Sequence, residues 1–167
     1  YVDQYRAWYY LVYAAALQQQ ELGDPPSVAG WAAYYQIPQY HELWINSDTL
    51  PNRNKISDVM VANGYSVGNS RMRIDPLHFA KKFDNPEDPD KLIDDILELL
   101  HTLPVEQAQK DYMKTILLSG QLSDSYWTNA WNDYIADQNN TSKQNIVGLR
   151  LIYLIKYLMN LGEFQLS

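Results

Sequence analysis

The chain contains no cysteine. That removes disulfide frameworks, thiolate zinc sites and cysteine nucleophiles at once. Histidine is nearly as scarce, with three copies, and none stands at ligand spacing. His41-Glu42 opens like a zincin motif, but Trp44 and Ile45 follow where a second histidine belongs. His78 and His101 are isolated. No glycine-rich phosphate loop, G-x-S-x-G elbow or kinase signature occurs, so the sequence nominates no catalytic residue, metal ligand or cofactor. Basic residues are outnumbered, 13 Lys and Arg against 20 Asp and Glu, for a net charge of −7. This balance argues against nucleic acid and against anionic membrane surfaces as partners. The apolar stretch between Arg6 and Glu21 is too short to span a bilayer and includes Gln18, Gln19 and Gln20. The chain opens on Tyr1 inside a helical pattern without leader features, as a mature product or a piece of a longer protein does.

What is present is helix. The 167 residues suit one domain that buries roughly 70% of its unfolded surface. Val2, Tyr5, Tyr9, Val12 and Ala16 recur at helical spacing and predict a helix over 1–22 with that stripe facing a core. Gly23 and Pro25-Pro26 end it. A second helix is expected over 50–62, with Gly64 as its stop. Asp75-Pro76 and Asp88-Pro89 each place an N-cap acid before a proline at the first helical position. The helix after Asp88 buries Leu92, Ile93, Ile96, Leu97, Leu99 and Leu100. Pro104 opens another helix to Leu118, and Ser123 caps one carrying Trp127, Trp131 and Tyr134. Thr141 and Gln144 have capping-box spacing ahead of 146–161, which is apolar nearly all round and therefore central. Only Ser66–Ile74 leaves room for a short strand. The expected fold is all-α, an irregular bundle of five to six helices with one long aromatic-rich loop, forming a single helical domain over 1–167.

Three features invite functional readings. Asp84, Glu87, Asp88, Asp90, Asp94 and Asp95 form an acidic cluster. It lacks the alternation and central glycine of an EF-hand and is better read as acids gathered at a helix N-terminus. Arg150 sits among Leu149, Leu151, Ile152 and Leu154. If buried, it needs a carboxylate or several carbonyls, with Asp133 or Asp137 the expected partner, unless its head snorkels into water. Finally, 14 Tyr and five Trp against three Phe favour surfaces that are apolar in body and polar at the tip. Trp31, Tyr35, Tyr40 and Trp44 concentrate this character in the loop.

The run Leu22–Trp31, with Pro25, Pro26, Gly30 and Trp31, resembles the "L-G, P-P-S-V-x-G-W" segment of a large bacterial family, domain of unknown function 1800. Trp44–Ser47 resembles its "W-l-n-s" step. Leu50–Asn54, with Arg53 and Asn54, resembles a helix start of that family, and Asp88–Leu100 its "d-p-x-x-l-i-d-x-l-l" helix. The end, with Glu163 and Phe164, resembles its closing "S-P-E-F-Q". These motifs follow the family's order from about residue 2 to 166 and match its C-terminal part. The chain departs from the pattern in Ala32–Glu42, which reads as an insertion, and in Leu161-Gly162 where Ser-Pro is usual. The resemblance implies a helical, exported protein without an established activity. It further implies a working partner encoded beside it, with an alkaline-phosphatase-like fold.

Two functions follow as expectations. The first is a non-catalytic module that supports assembly or binds a partner. The second is glycan binding or processing at the 31–44 loop, where a catalytic version would rely on paired acids such as Glu42 and Asp48.

Overall fold

A computed structural model describes residues 1–21, 23 and 45–165. The loop residues Trp31, Tyr35, Tyr40 and Trp44, together with Pro25, Pro26, Gly30, His41 and Glu42, lie outside that set. Among the described residues are eight helices and one two-stranded hairpin. The all-α expectation holds, and two short helices raise the count above the five or six expected. The chain divides into two compact units, 1–73 and 74–165.

The first unit contains α1 (Val2–Leu17), α2 (Thr49–Ala62), β1 (Tyr65–Val67) and β2 (Ser70–Met72). Asn46 starts α2: its side-chain oxygen accepts from the Asp48 and Thr49 amides at 2.9 and 3.0 Å. This satisfies donors that a helix start leaves free. Gly64 ends α2 at φ +69°, where a β-carbon would fall 2.7 Å from the Met72 carbonyl oxygen. That glycine lets the chain turn straight into the antiparallel hairpin, which pairs Tyr65 with Met72 and Val67 with Ser70.

The face of α1 that meets the rest of its unit is not the predicted one. Its single buried residue is Ala14, and Tyr10, on the same face, stacks on Tyr65 with ring centroids 3.5 Å apart. Asp3 anchors the same side by accepting from the Ser70 hydroxyl at 3.2 Å. The predicted stripe is exposed instead, Tyr9 at 77% and Tyr5 at 65%. A helix apolar on several faces offers more than one stripe at helical spacing. Small Ala14 allows the closest approach, so its face is the one that packs.

The second unit comprises α3 (Pro76–Ala80), α4 (Pro89–Leu100), α5 (Gln107–Leu117), α6 (Ser125–Ala136), α7 (Thr141–Asn160) and α8 (Gly162–Gln165). Asp75 and Asp88 cap α3 and α4 as expected, each accepting two backbone N–H groups ahead of a proline. Elsewhere the caps shift. Asn140 rather than Thr141 caps α7. Glu106 and Gln109 form the capping box of α5, three residues into the stretch that Pro104 was expected to open. Asp124, not Ser123, is the N-cap of α6 and makes no side-chain cap bond.

Helix α7 is central to this unit and packs against α3, α5, α6 and α8. Val147, Leu151, Leu154 and Leu158 are fully buried with Leu92, Ile96, Met113, Leu117 and Trp127. The Trp127 indole donates to the Pro86 carbonyl at 2.9 Å, and the Thr128 hydroxyl donates to the Glu87 carbonyl at 2.9 Å. Together these bonds fasten α6 to the turn ahead of α4. Leu99 does not join the core and is exposed, since it stands at the edge of the face centred on Ile93, Ile96 and Leu97, in the last turn of α4.

The acidic cluster resolves into structural roles. Asp88 caps α4, while Asp90 and Asp94 reach Lys114 and Lys110 of α5, each at 2.7 Å. Asp124 also reaches Lys114, at 3.0 Å, and these hydrogen bonds hold the Lys114 pKa above its ordinary value. Exposed pairs of this kind contribute little each, about 0–1 kcal/mol. Their effect is mainly to set the register of α4 on α5.

Two outcomes test this account in denaturant unfolding. Trp127→Ala should cost about 3–5 kcal/mol, because it empties a fully buried site and leaves the Pro86 carbonyl unpaired. Asp88→Ala should cost about 1 kcal/mol, with the helical spectrum retained.

Candidate functional site

Sequence reasoning placed its family-pattern residues at two positions within the described set. Arg53 and Asn54 lie on α2 of the first unit. Arg53 is partly buried, and burial pushes its pKa below the ordinary value. Ser57 donates its hydroxyl to the Asn54 carbonyl at 2.9 Å, an intrahelical bond that gives this turn of α2 a structural role.

Glu163 and Phe164 lie on α8, where the second unit brings them onto α5 and the end of α4. Gln109 donates to Glu163 at 3.3 Å, and the Phe164 ring lies 5.8 Å from the His101 ring. Gln165 reaches back to donate to the Met159 carbonyl at 2.6 Å. The Glu-Phe-Gln run therefore folds the chain end against α7 and α5. Leu161-Gly162 causes no break here, since Leu161 ends α7 and Gly162 begins α8.

His101, isolated in sequence, is the titratable group that this corner encloses. Both ring nitrogens are shut away from solvent, without a partner meeting hydrogen-bond geometry among the described residues. Burial pushes its pKa down, opposed by the Glu163 charge and the nearby Leu158 carbonyl. A lowered folded-state pKa means that acid favours the unfolded chain, which takes up the proton more readily. The stability contributed by the neutral ring is complete above about pH 6.5 and is lost as pH falls through the lower folded value.

Beside this corner runs an open groove between α5 and α7, of about 750 Å³. Ile146, Leu149, Tyr153 and Tyr157 line it from α7 at helical spacing, Tyr112, Thr115 and Ile116 line it from α5, and Ser119 lines it from the turn that follows. From Ile146 to Tyr157 it extends about 16 Å, at roughly 1.5 Å per residue. At one end Tyr112 and Tyr157 meet with ring centroids 4.9 Å apart. Burial, Tyr112 and then Glu163 raise the Tyr157 pKa.

Arg150 lies in the same groove. The expected carboxylates, Asp133 and Asp137, do not meet it. Its Nη1 donates to the carbonyls of Leu117, at 3.1 Å, and Tyr126, at 2.8 Å. The helix ends supply the reason. Ser119 and Gly120 take positive φ, 53° and 77°, and turn the chain sharply after α5. The Leu117 carbonyl at that end remains to be bonded, and a cation near a helix C-terminus is favoured. Asp137 instead accepts from Asn140 and stands 4.0 Å from Lys143.

The first unit carries a second groove, of about 730 Å³, lined by Tyr5, Tyr9, Tyr10, Tyr13 and Tyr65 with Arg6 at its edge. Burial, Tyr65 and Tyr13 raise the Tyr10 pKa. Asp48, the acid beside the aromatic loop, is exposed at the start of α2. Among the described residues no group of three or more His, Asp or Glu converges as metal ligands do, and no helix is long and apolar enough to cross a membrane.

Sequence reasoning missed both grooves. The signal for the α5–α7 groove was present in Ile146, Leu149, Tyr153 and Tyr157, a second apolar stripe on a helix already assigned to the core.

The chain belongs to the family described as "Protein of unknown function (DUF1800)", whose match covers residues 2–166. No curated protein and no solved structure matches it.

The enclosed histidine gives a direct test. Between pH 7.5 and 5.5 the folded chain should lose stability in urea titrations, and His101→Phe should flatten that dependence. A variant as pH-sensitive as the parent would assign the dependence to other groups.

Proposed function

We propose that this chain is a non-catalytic module that binds a protein partner, within an exported bacterial assembly. The observation that carries the reading is α1. Val2, Tyr5, Trp8, Tyr9, Leu11, Val12 and Tyr13 are all exposed on one helix, and Tyr1 is exposed just ahead of it. A helix apolar on this many sides is ordinarily covered, and contiguous apolar surface of this kind marks interaction sites. Tyr and Trp suit such a surface, since they combine a large apolar area with a polar tip. The acids of the α4 cluster support a non-catalytic role, because Asp88, Asp90 and Asp94 are engaged in capping and ion pairs. The family resemblance supports export and a partner of alkaline-phosphatase-like fold encoded nearby.

Glycan binding is the second reading. What favours it among the described residues is the five-tyrosine groove of the first unit, since aromatic faces stack on sugar C–H surfaces and phenol hydroxyls bond to sugar hydroxyls. In this reading the 31–44 loop, with Trp31, Tyr35, Tyr40 and Trp44, supplies further rings.

The test is co-elution of the purified chain with the purified neighbouring-gene protein in size-exclusion chromatography with light scattering. The parent should form a complex, and Tyr5→Ser with Tyr9→Ser should abolish it while the helical circular dichroism stays unchanged. A complex indifferent to these substitutions, or none at all, overturns the reading. The isolated chain should also turn over no common glycan, ester or phosphomonoester. Turnover that disappears on Glu42→Gln or Asp48→Asn would place chemistry at the aromatic loop.

A further inference from the structure

We infer that the α5–α7 groove is a docking site for an amphipathic helix of a partner protein, which inserts apolar side chains between Ile146, Leu149 and Tyr153 and sets a carboxylate on Arg150. This rests on the partner-binding reading and adds the chemistry of the partner at a second surface.

Arg150 donates through Nη1 to two carbonyls, while Nε and Nη2 make no hydrogen bond among the described residues. No carboxylate of those residues forms an ion pair with it either, whereas Lys110 and Lys143 each have one and Lys114 has two. Burial lowers its pKa and no acid opposes that shift, yet a guanidinium stays charged in proteins. The edge formed by Nε and Nη2 is the one that grips a carboxylate through two parallel bonds. The two carbonyls hold the other side of the guanidinium fixed, so little side-chain freedom remains to be lost on binding.

Shape and lining select the class of ligand. Two adjacent helices form an open trough into which the side-chain ridge of a third helix fits. Leu149 and Tyr153 are 51% and 61% exposed, so they project into the trough rather than completing the core. Aliphatic Ile116, Ile146 and Leu149 suit Leu or Ile anchors at helical spacing. Arg150 is the one charged residue of the lining, which contains no Asp, Glu, Asn or Gln.

The experiment is selection of a displayed library of 16-residue helical peptides on the immobilised whole chain, randomised among apolar, acidic and amide residues. Enriched peptides should carry Asp or Glu flanked by Leu or Ile at helical spacing. Changing that acid to its amide should weaken binding on the order of tenfold, and added salt should weaken the acidic peptide more than the amide one. Tyr153→Glu, at an exposed position, should abolish enrichment without altering the circular dichroism. Arg150→Gln should erase the acid preference; if that variant unfolds, Tyr153→Glu and the acid-to-amide comparison still decide. The inference fails if nothing enriches, if enriched peptides lack an acid, if they bind Tyr153→Glu equally, or if an oligogalacturonate displaces them. The Tyr5 and Tyr9 substitutions on α1 leave this groove intact. Failure of the partner complex at α1 and failure of peptide selection are therefore separate results.

Discussion

The need to cover α7 organises the second unit. Twenty residues of mostly apolar helix, about 30 Å long, cannot lie bare in water. Helices α3, α5, α6 and α8 enclose the face made by Val147, Leu151, Leu154 and Leu158. At roughly 25 cal/mol per Å² of buried apolar surface, that contact outweighs any polar contact in the unit. The caps and ion pairs are consequences of it. Asp88 and Asn140 fix where helices begin, and the α4–α5 ion pairs fix how two covering helices lie against each other. The strip Ile146–Leu149–Tyr153 is what the covering helices leave open, and it becomes a groove because α5 runs beside it.

Polar groups inside the unit sort by whether their requirement is met locally. The Trp127 indole and Thr128 hydroxyl find carbonyls in the turn before α4, and Gln165 finds one on α7. Among the described residues His101 finds none in hydrogen-bond geometry, though the Leu158 carbonyl lies nearby, and burial lowers its pKa. An imidazole without partners is tolerable only because its neutral form carries no charge to desolvate. Arg150 has no neutral form to retreat to, so it draws on the backbone carbonyls of Leu117 and Tyr126.

The sequence was most informative where local chemistry decides structure. Asp-Pro starts, the Gly64 stop and the Leu92–Leu97 stripe follow from capping, φ restriction and helical period, all of which act within a few residues. It was less informative where several solutions satisfied the same local rule. Asn140, Thr141 and their neighbours can all cap, and the tertiary position of α7 chose Asn140. Arg150 needed oxygen acceptors, and counting acids in the preceding helix pointed to Asp133 and Asp137. The actual acceptors are backbone carbonyls, which every residue carries and no sequence pattern marks. His101 and Glu163 are far apart in the chain, so nothing short of the folded α8 could join them.

Helix α1 shows the same limit in a form that bears on function. Its residues satisfy helical spacing on more than one face, so periodicity alone could not say which face packs. The structure gives Ala14 and Tyr10 to the first unit and leaves Tyr5, Tyr9 and Val12 in water. Leaving such surface exposed has a free-energy cost, and a partner that covers it removes that cost. The large side chains lie outward while a small alanine takes the internal contact. An isolated unit would be better served by the reverse arrangement, with the aromatic rings buried and alanine outside. The distribution of side-chain sizes around α1 is therefore what distinguishes it from α7, whose large side chains Leu151, Leu154 and Leu158 turn inward.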